Sequence, residues 1–118
     1  MPEFAHEPAS VPEDLGRYFV QRASDCDVEG LVALYEPDAV LALPGGATAR
    51  GADAIRAAYH DLLAHRSDFP IIEQHPAIVL GDVALTSTRT PSAATAEVAR
   101  RQSDGSWLWI LDRPDVTA

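Results

Sequence analysis

The residues best suited to chemistry are two acids in the C-terminal third, Glu97 and Asp112, and three tyrosines upstream of them, Tyr18, Tyr35 and Tyr59. Glu97 lies between Ala96 and Val98 in a segment that alternates as a strand does. Facing outward, it is an ordinary solvated carboxylate. Facing inward, it loses water, its pKa rises, and the neutral acid can donate a hydrogen bond. Asp112 also has two readings: it satisfies backbone donors near the end of the chain, or it stands at the mouth of a cavity. Tyr35 and Tyr59 fall at helical spacing from apolar neighbours, so they either pack as core aromatics or offer their hydroxyls to a ligand. Arg89 is a further polar candidate. By strand alternation it shares a face with Leu85 and Ser87, so if those two point outward Arg89 does too, and a surface ion pair is its expected fate.

Other chemistries lack their residues. Gly45-Gly46-Ala47-Thr48 has no lysine of a phosphate-binding loop, and no serine sits in a Gly-x-Ser-x-Gly elbow. His60 and His65 are five positions apart, so on a helix they diverge more than a ligand pair would. With His75 on a strand and His6 in the N-terminal segment, no metal site is expected, and nothing calls for a cofactor. Cys26 is the only cysteine, which excludes an internal disulfide. It has no histidine near it in sequence and reads as a spectator thiol.

The 118 residues carry a net charge of −9, and every basic residue other than histidine is an arginine. That balance argues against nucleic acid and against an anionic membrane surface as partners, since both need a basic patch. The hydrophobic fraction of 47% suits one ordinary core. The N-terminus lacks the basic start and apolar run of a signal peptide, no apolar stretch is long enough to span a membrane, and a cytoplasmic location is expected.

The elements follow from caps and periodicity. Residues 1–10 read as a flexible N-terminal segment and 11–118 as one domain. Ser10-Val11-Pro12-Glu13 has the spacing of a capping box, opening a helix to about Ser24 with Leu15, Tyr18, Phe19 and Arg22 on its buried stripe. Asp27 should cap a second, shorter helix carrying Leu31, Leu34 and Tyr35, which Pro37 ends. Asp38–Leu43 reads as a strand, Pro44-Gly45-Gly46 as a turn, and a third helix starts after Gly51. From Phe69 the chain reads as strands: Ile71–Leu80 with an edge or bulge at Pro76, then Val83–Thr90, Ala94–Gln102 and Ser106–Asp112, the last two joined by a hairpin at Ser103-Asp104-Gly105. Helices first and an antiparallel meander second is an α+β order. Trp107 and Trp109 share one face of the last strand and Ile110 and Asp112 the other. If the second face lines a pocket, the tryptophans need outside cover, and a subunit interface supplies it.

Three runs carry a family resemblance: Asp25-Cys26-Asp27-Val28-Glu29-Gly30-Leu31-Val32-Ala33-Leu34-Tyr35-Glu36-Pro37-Asp38-Ala39-Val40, then Gly51-Ala52-Asp53-Ala54-Ile55-Arg56, then Arg100-Arg101-Gln102-Ser103-Asp104-Gly105-Ser106-Trp107. The pattern, over roughly residues 11–114, resembles the NTF2-like superfamily in its SnoaL-like and ketosteroid-isomerase-like branch. The resemblance implies a cone-shaped α+β fold, with three N-terminal helices packed on a curved antiparallel sheet around an apolar cavity, and a homodimer. In ketosteroid isomerases an Asp base ends the first strand before a Pro. Leu43 holds that position here, and it cannot move a proton. The oxyanion-hole tyrosine corresponds to Phe19, with Tyr18 beside it, the second oxyanion donor to Glu97, and the pocket aromatics on helices two and three to Tyr35 and Tyr59. Limonene-epoxide-hydrolase-like members place an Arg between two acids, which Arg89, Glu97 and Asp112 could mimic.

The resulting expectation is a pocket protein that binds a small apolar molecule, with Phe19, Tyr18, Tyr35, Leu43, Tyr59 and Glu97 as lining residues. One alternative is an isomerase, cyclase or hydrolase-like enzyme on a small apolar or polyketide-like substrate, with Glu97, Tyr59 and Asp112 as catalytic candidates and steroid isomerisation disfavoured. The other is a non-catalytic dimerisation module.

Overall fold

The computed structural model describes residues 6–66 and 73–117. In chain order the elements are α1 (Asp14–Ser24), α2 (Val28–Val32), β1 (Tyr35–Ala42), β2 (Thr48–Arg50), α3 (Ala52–His65), β3 (Glu73–Gln74), β4 (Ile78–Leu80), β5 (Val83–Thr86), β6 (Thr88–Arg89), β7 (Ala96–Arg101) and β8 (Trp107–Arg113). The Ser10–Glu13 capping box does not form. Asp14 takes its place, with Oδ2 accepting from the backbone N–H groups of Ser10 (3.1 Å) and Val11 (3.4 Å). A carboxylate in the first turn also suits the positive end of the helix. Glu13 reaches instead to the N–H of Ala77, 2.9 Å away.

Residues 1–5 of the segment expected to be loose lie outside the described residues; of the rest, His6, Glu7, Pro8 and Ser10 are exposed, and Ala9 is buried and bridges to Trp107. The buried Arg22 guanidinium donates to the carbonyls of Glu7 and Gly30, each at 2.8 Å. Cys26 closes α1 in the left-handed region (φ 55°), with the Asp27 N–H bonded to the Arg22 carbonyl at 2.8 Å. Asp27 then caps α2 as expected, accepting from the Gly30 N–H at 2.9 Å.

Tyr35 is not on the second helix. α2 stops at Val32, and Tyr35 opens β1, which carries Pro37 inside it. The ladder from β1 to β8 is irregular between Tyr35 and Val40, the stretch that includes this residue without an N–H. Phe69 and Ile71 lie outside the described residues. The rest of the expected Ile71–Leu80 strand is split: β3 pairs with β6 in a small two-stranded sheet, and β4 joins the main one.

The main sheet has six strands in the order β2-β1-β8-β7-β5-β4. It is antiparallel except where β1 runs parallel to β8. The helices cover its inner face, with Leu15, Leu31, Leu34 and Ile55 at the centre of the core. One irregularity decides what faces inward. Ala99 stands opposite Trp109 but Val98 stands opposite Leu111, so Ile110 is an extra residue, a β-bulge. Trp107, Trp109 and Asp112 therefore all point inward and are buried at 5%, 3% and 8% exposure. Strict alternation separates Asp112 from the tryptophans; the bulge unites them. The tryptophans belong to the core of the single chain and are not available to a subunit interface.

The outer face is apolar for a different reason. Ile78, Leu85, Val98, Leu111 and Val40 pair in register across five strands, with Ile78, Leu85 and Leu111 exposed. No helix among the described residues is long and apolar enough to cross a membrane.

Candidate functional site

Sheet register builds one row of side chains across the inner face. Thr86 stands opposite Glu97, Glu97 opposite Asp112, and Asp112 beside Leu41. Leu41, Asp112 and Glu97 of this row floor a cavity of about 710 Å³ between the sheet, α1 and α3. Phe19 and Val20 from α1, Ala58 and Leu62 from α3, and Leu43 and Pro44 after β1 form its apolar walls. Tyr59 and Trp109 close the deep end beside the two acids, and Arg66, Arg89, Ser92 and Asp115 lie at the exposed opening.

Two hydrogen-bond relays end on the two carboxyls. The Trp109 indole N–H donates to Thr86 Oγ1 (3.1 Å), and the Thr86 hydroxyl donates to Glu97 Oε1 (2.6 Å). The Tyr35 hydroxyl donates to Asp112 Oδ2 (2.5 Å) and lies 2.6 Å from the Tyr59 hydroxyl. The single proton of Tyr35 is committed to Asp112, so Tyr59 must be the donor in the tyrosine pair. The relay runs Tyr59 to Tyr35 to Asp112 and leaves the Tyr59 oxygen with lone pairs toward the cavity. Ring contacts hold the relays in place: Tyr35 and Trp109 lie 5.5 Å apart, and Phe19 and Tyr59 lie 6.1 Å apart.

Burial sets the protonation of this floor. Desolvation pushes Asp112 up to about 8, the nearby Glu97 charge adds to the rise, and the Tyr35 hydrogen bond opposes it. Glu97 is also raised by burial, against the hydroxyls of Thr86 and Thr95. Tyr35 and Tyr59 lie well above their ordinary value, first because they are buried and then because Asp112 is near, so both stay neutral. At neutral pH the floor presents a protonated Asp112, which can donate, beside the tyrosine oxygen, which can accept. Among the described residues no group of three His, Cys, Asp or Glu side chains is arranged to hold a metal ion.

A family model for the SnoaL-like domain matches residues 16–110. This chain belongs to the SnoaL-like domain family. Solved structures share its fold. A ketosteroid isomerase-like protein from Erwinia carotovora atroseptica superposes with a TM-score of 0.75 at 20% identity, covering 88% of this chain and 92% of that one. An NTF2-like protein with a cystatin-like fold from Novosphingobium aromaticivorans gives 0.64 at 24%, covering 86% and 76%. A protein of unknown function with a cystatin-like fold from Nostoc punctiforme gives 0.68 at 21%, covering 85% and 84%. Likeness at these identities shows the NTF2-like α+β fold and nothing finer. No curated protein of similar sequence was found.

Within this SnoaL-like domain the expected site residues separate. Phe19, Leu43, Tyr59, Glu97 and Asp112 line the cavity. Tyr18 does not: it is buried on another side of α1, with the guanidinium groups of Arg17 and Arg22 over its ring at 4.7 and 4.9 Å. Tyr35 sits behind Tyr59 and Asp112 and reaches the cavity only through them. Arg89 lies at the exposed rim, away from the buried acids, and no ion pair engages it among the described residues. Sequence reasoning missed Thr86 and Trp109. Thr86 carries no signal of its own until the strand register puts it opposite Glu97. Trp109 is hidden by the bulge at Ile110.

Proposed function

We propose that this SnoaL-like domain binds one small, largely apolar molecule in its cavity and that it works as a homodimer. The observation that carries the reading is a cavity of about 710 Å³ with aliphatic and aromatic walls and a small convergent set of polar groups at its floor. Ligand sites have this size and make-up. Walls of Phe19, Val20, Leu43, Ala58 and Leu62 favour an apolar body, and the floor orients it through one polar atom. A ketone or hydroxyl oxygen can accept from Asp112 and, if it bears a proton, donate to Tyr59.

The protonation of Asp112 supports a second reading, an acid–base enzyme. A carboxyl that titrates at about 8 can give or take a proton near neutral pH. Glu97 beside it would supply the charge that tunes it, and Tyr59 would position the substrate oxygen. Steroid isomerisation by the ketosteroid-isomerase route stays disfavoured, because the residue that the resemblance puts at the base position is the apolar Leu43, which lines the cavity.

The dimer rests on the apolar outer row of Ile78, Leu85, Val98, Leu111 and Val40, a continuous patch of the kind that marks an interface. Native mass spectrometry of the protein purified from its own host tests both parts. The reading expects a two-chain species carrying a small organic adduct, and Ala58→Trp, which fills the cavity, should lose the adduct and keep the dimer. An adduct retained in Ala58→Trp would place the ligand elsewhere.

A further inference from the structure

The opening of the cavity carries four charged side chains, and three of them are engaged. Asp61 lies 3.7 Å from the ring of His65. Asp115 accepts from both the backbone N–H and the hydroxyl of Thr117, at 2.9 and 2.6 Å. Arg66 has an interaction partner as well. Arg89 is the exception. It makes no side-chain hydrogen bond and no ion pair among the described residues, although Glu73 stands in register opposite it across β3 and β6. Its backbone is fixed on both sides, by β3 and by a bridge to Ala94. The next turn is closed by the Thr90 N–H bonding to the Ala93 carbonyl at 2.8 Å, with Thr90 Oγ1 accepting from the N–H groups of Ser92 and Ala93. A held backbone with an uncommitted guanidinium at the rim of an apolar cavity is the arrangement that receives an anion.

We propose that Arg89 is an anion anchor, and that the ligand of this cavity is an apolar monocarboxylic acid: its body lies against Phe19, Leu43 and Leu62, and its carboxylate meets Arg89 at the rim. The proposal rests on the small-molecule reading of the cavity and adds the charge of the ligand to it. A single negative charge is favoured over a phosphate. One guanidinium is uncommitted, Asp61 and Asp115 share the rim, and the chain as a whole carries −9, so a second negative charge meets repulsion with nothing to offset it. The guanidinium suits a carboxylate because two of its N–H groups can meet both oxygens.

The test is calorimetric titration of 2-naphthoic acid, and of the isosteric neutral 2-naphthamide, into the full chain, into Arg89→Gln and into Arg89→Lys. The acid should bind the parent about tenfold more tightly than the amide, a preference of the size a charge-assisted hydrogen bond supplies. Arg89→Gln should abolish that preference by weakening the acid much more than the amide, while Arg89→Lys should keep part of it. Added salt should weaken the acid alone. Equal affinities in the parent, or a preference for the acid that survives Arg89→Gln, would overturn the anchor and leave the cavity reading standing. Binding of neither compound to the parent would overturn both.

Discussion

Asp112 and Glu97 are the two buried acids of the cavity floor, and both report on pH. Asp112 is raised from 3.8 to about 8 in the folded chain, so the folded state holds its proton where the unfolded state has lost it. Its contribution to stability is complete below about pH 4 and drains away as the pH climbs through about 8. Asp112→Asn keeps an acceptor for Tyr35 and carries no charge. Its melting temperature should therefore gain on the parent as the pH rises across that window, by a margin worth several kcal/mol at the alkaline end. Parallel melts of the two proteins across that range check this, and a difference flat with pH would return Asp112 to solvent. Glu97→Gln should show the same sign, since burial raises Glu97 too. It should also lower the titration midpoint of Asp112, because the Glu97 charge is one of the causes holding that midpoint up. Carboxyl carbon shifts followed by NMR would register that fall; an unmoved Asp112 would mean the two acids do not feel each other.

At the scale of elements, local caps and turns were readable from sequence where one residue decides them. Asp27 before α2, Gly51 before α3 and Gly105 in the hairpin are of that kind. Competition between neighbours was not readable. Asp14 displaced the Ser10 capping box because its carboxylate takes the Ser10 N–H, the donor Glu13 would have met, together with that of Val11. The bulge at Ile110 was the costliest omission. Period-two alternation holds only while strand pairing stays in step, and one extra residue inverts the facing of everything after it. That inversion put Asp112 into the cavity with Trp109 and removed the tryptophans from the surface. Glu97 lies on a strand with no such interruption, but its inward facing, left open by the sequence, follows from its pairing with Thr86 and Asp112. Cys26 gives a test at this scale. It holds the left-handed position that ends α1, where glycine adopts φ near 55° without the cost of a β-carbon. Cys26→Gly should stabilise the fold by up to about 1 kcal/mol, visible as a rise of a few degrees in melting temperature. A clear loss would mean that the thiol makes a contact outweighing its backbone conformation.

For the whole molecule, the inner and outer faces of one sheet do different work. The inner face carries the cavity floor, and the outer face carries the apolar row that the homodimer proposal uses. Leu111 lies in that row and is half exposed, one position from Asp112, so a charge at Leu111 tests the interface without entering the cavity. Leu111→Arg should convert a two-chain species to one chain in sedimentation at micromolar concentration while leaving the fold intact by circular dichroism. A parent that already sediments as one chain would remove the proposal, and a variant that stays paired would move the interface elsewhere.

The family and the fold were legible because helix order, the acidic turn and the hairpin are spread along the whole chain. The ligand was not, because the cavity is assembled from residues of α1, α3 and several strands whose register no local pattern states. The cavity itself can be addressed by one localising measurement. The chain has two indole N–H groups, and only Trp109 lines the cavity, while Trp107 is buried beside Ala9 and Arg101. Titration of the ¹⁵N-labelled protein with 2-naphthamide should shift the Trp109 indole cross-peak saturably and leave that of Trp107 in place. Two unmoved indole signals at saturating compound, or a shift of Trp107 alone, would contradict a ligand site in this cavity.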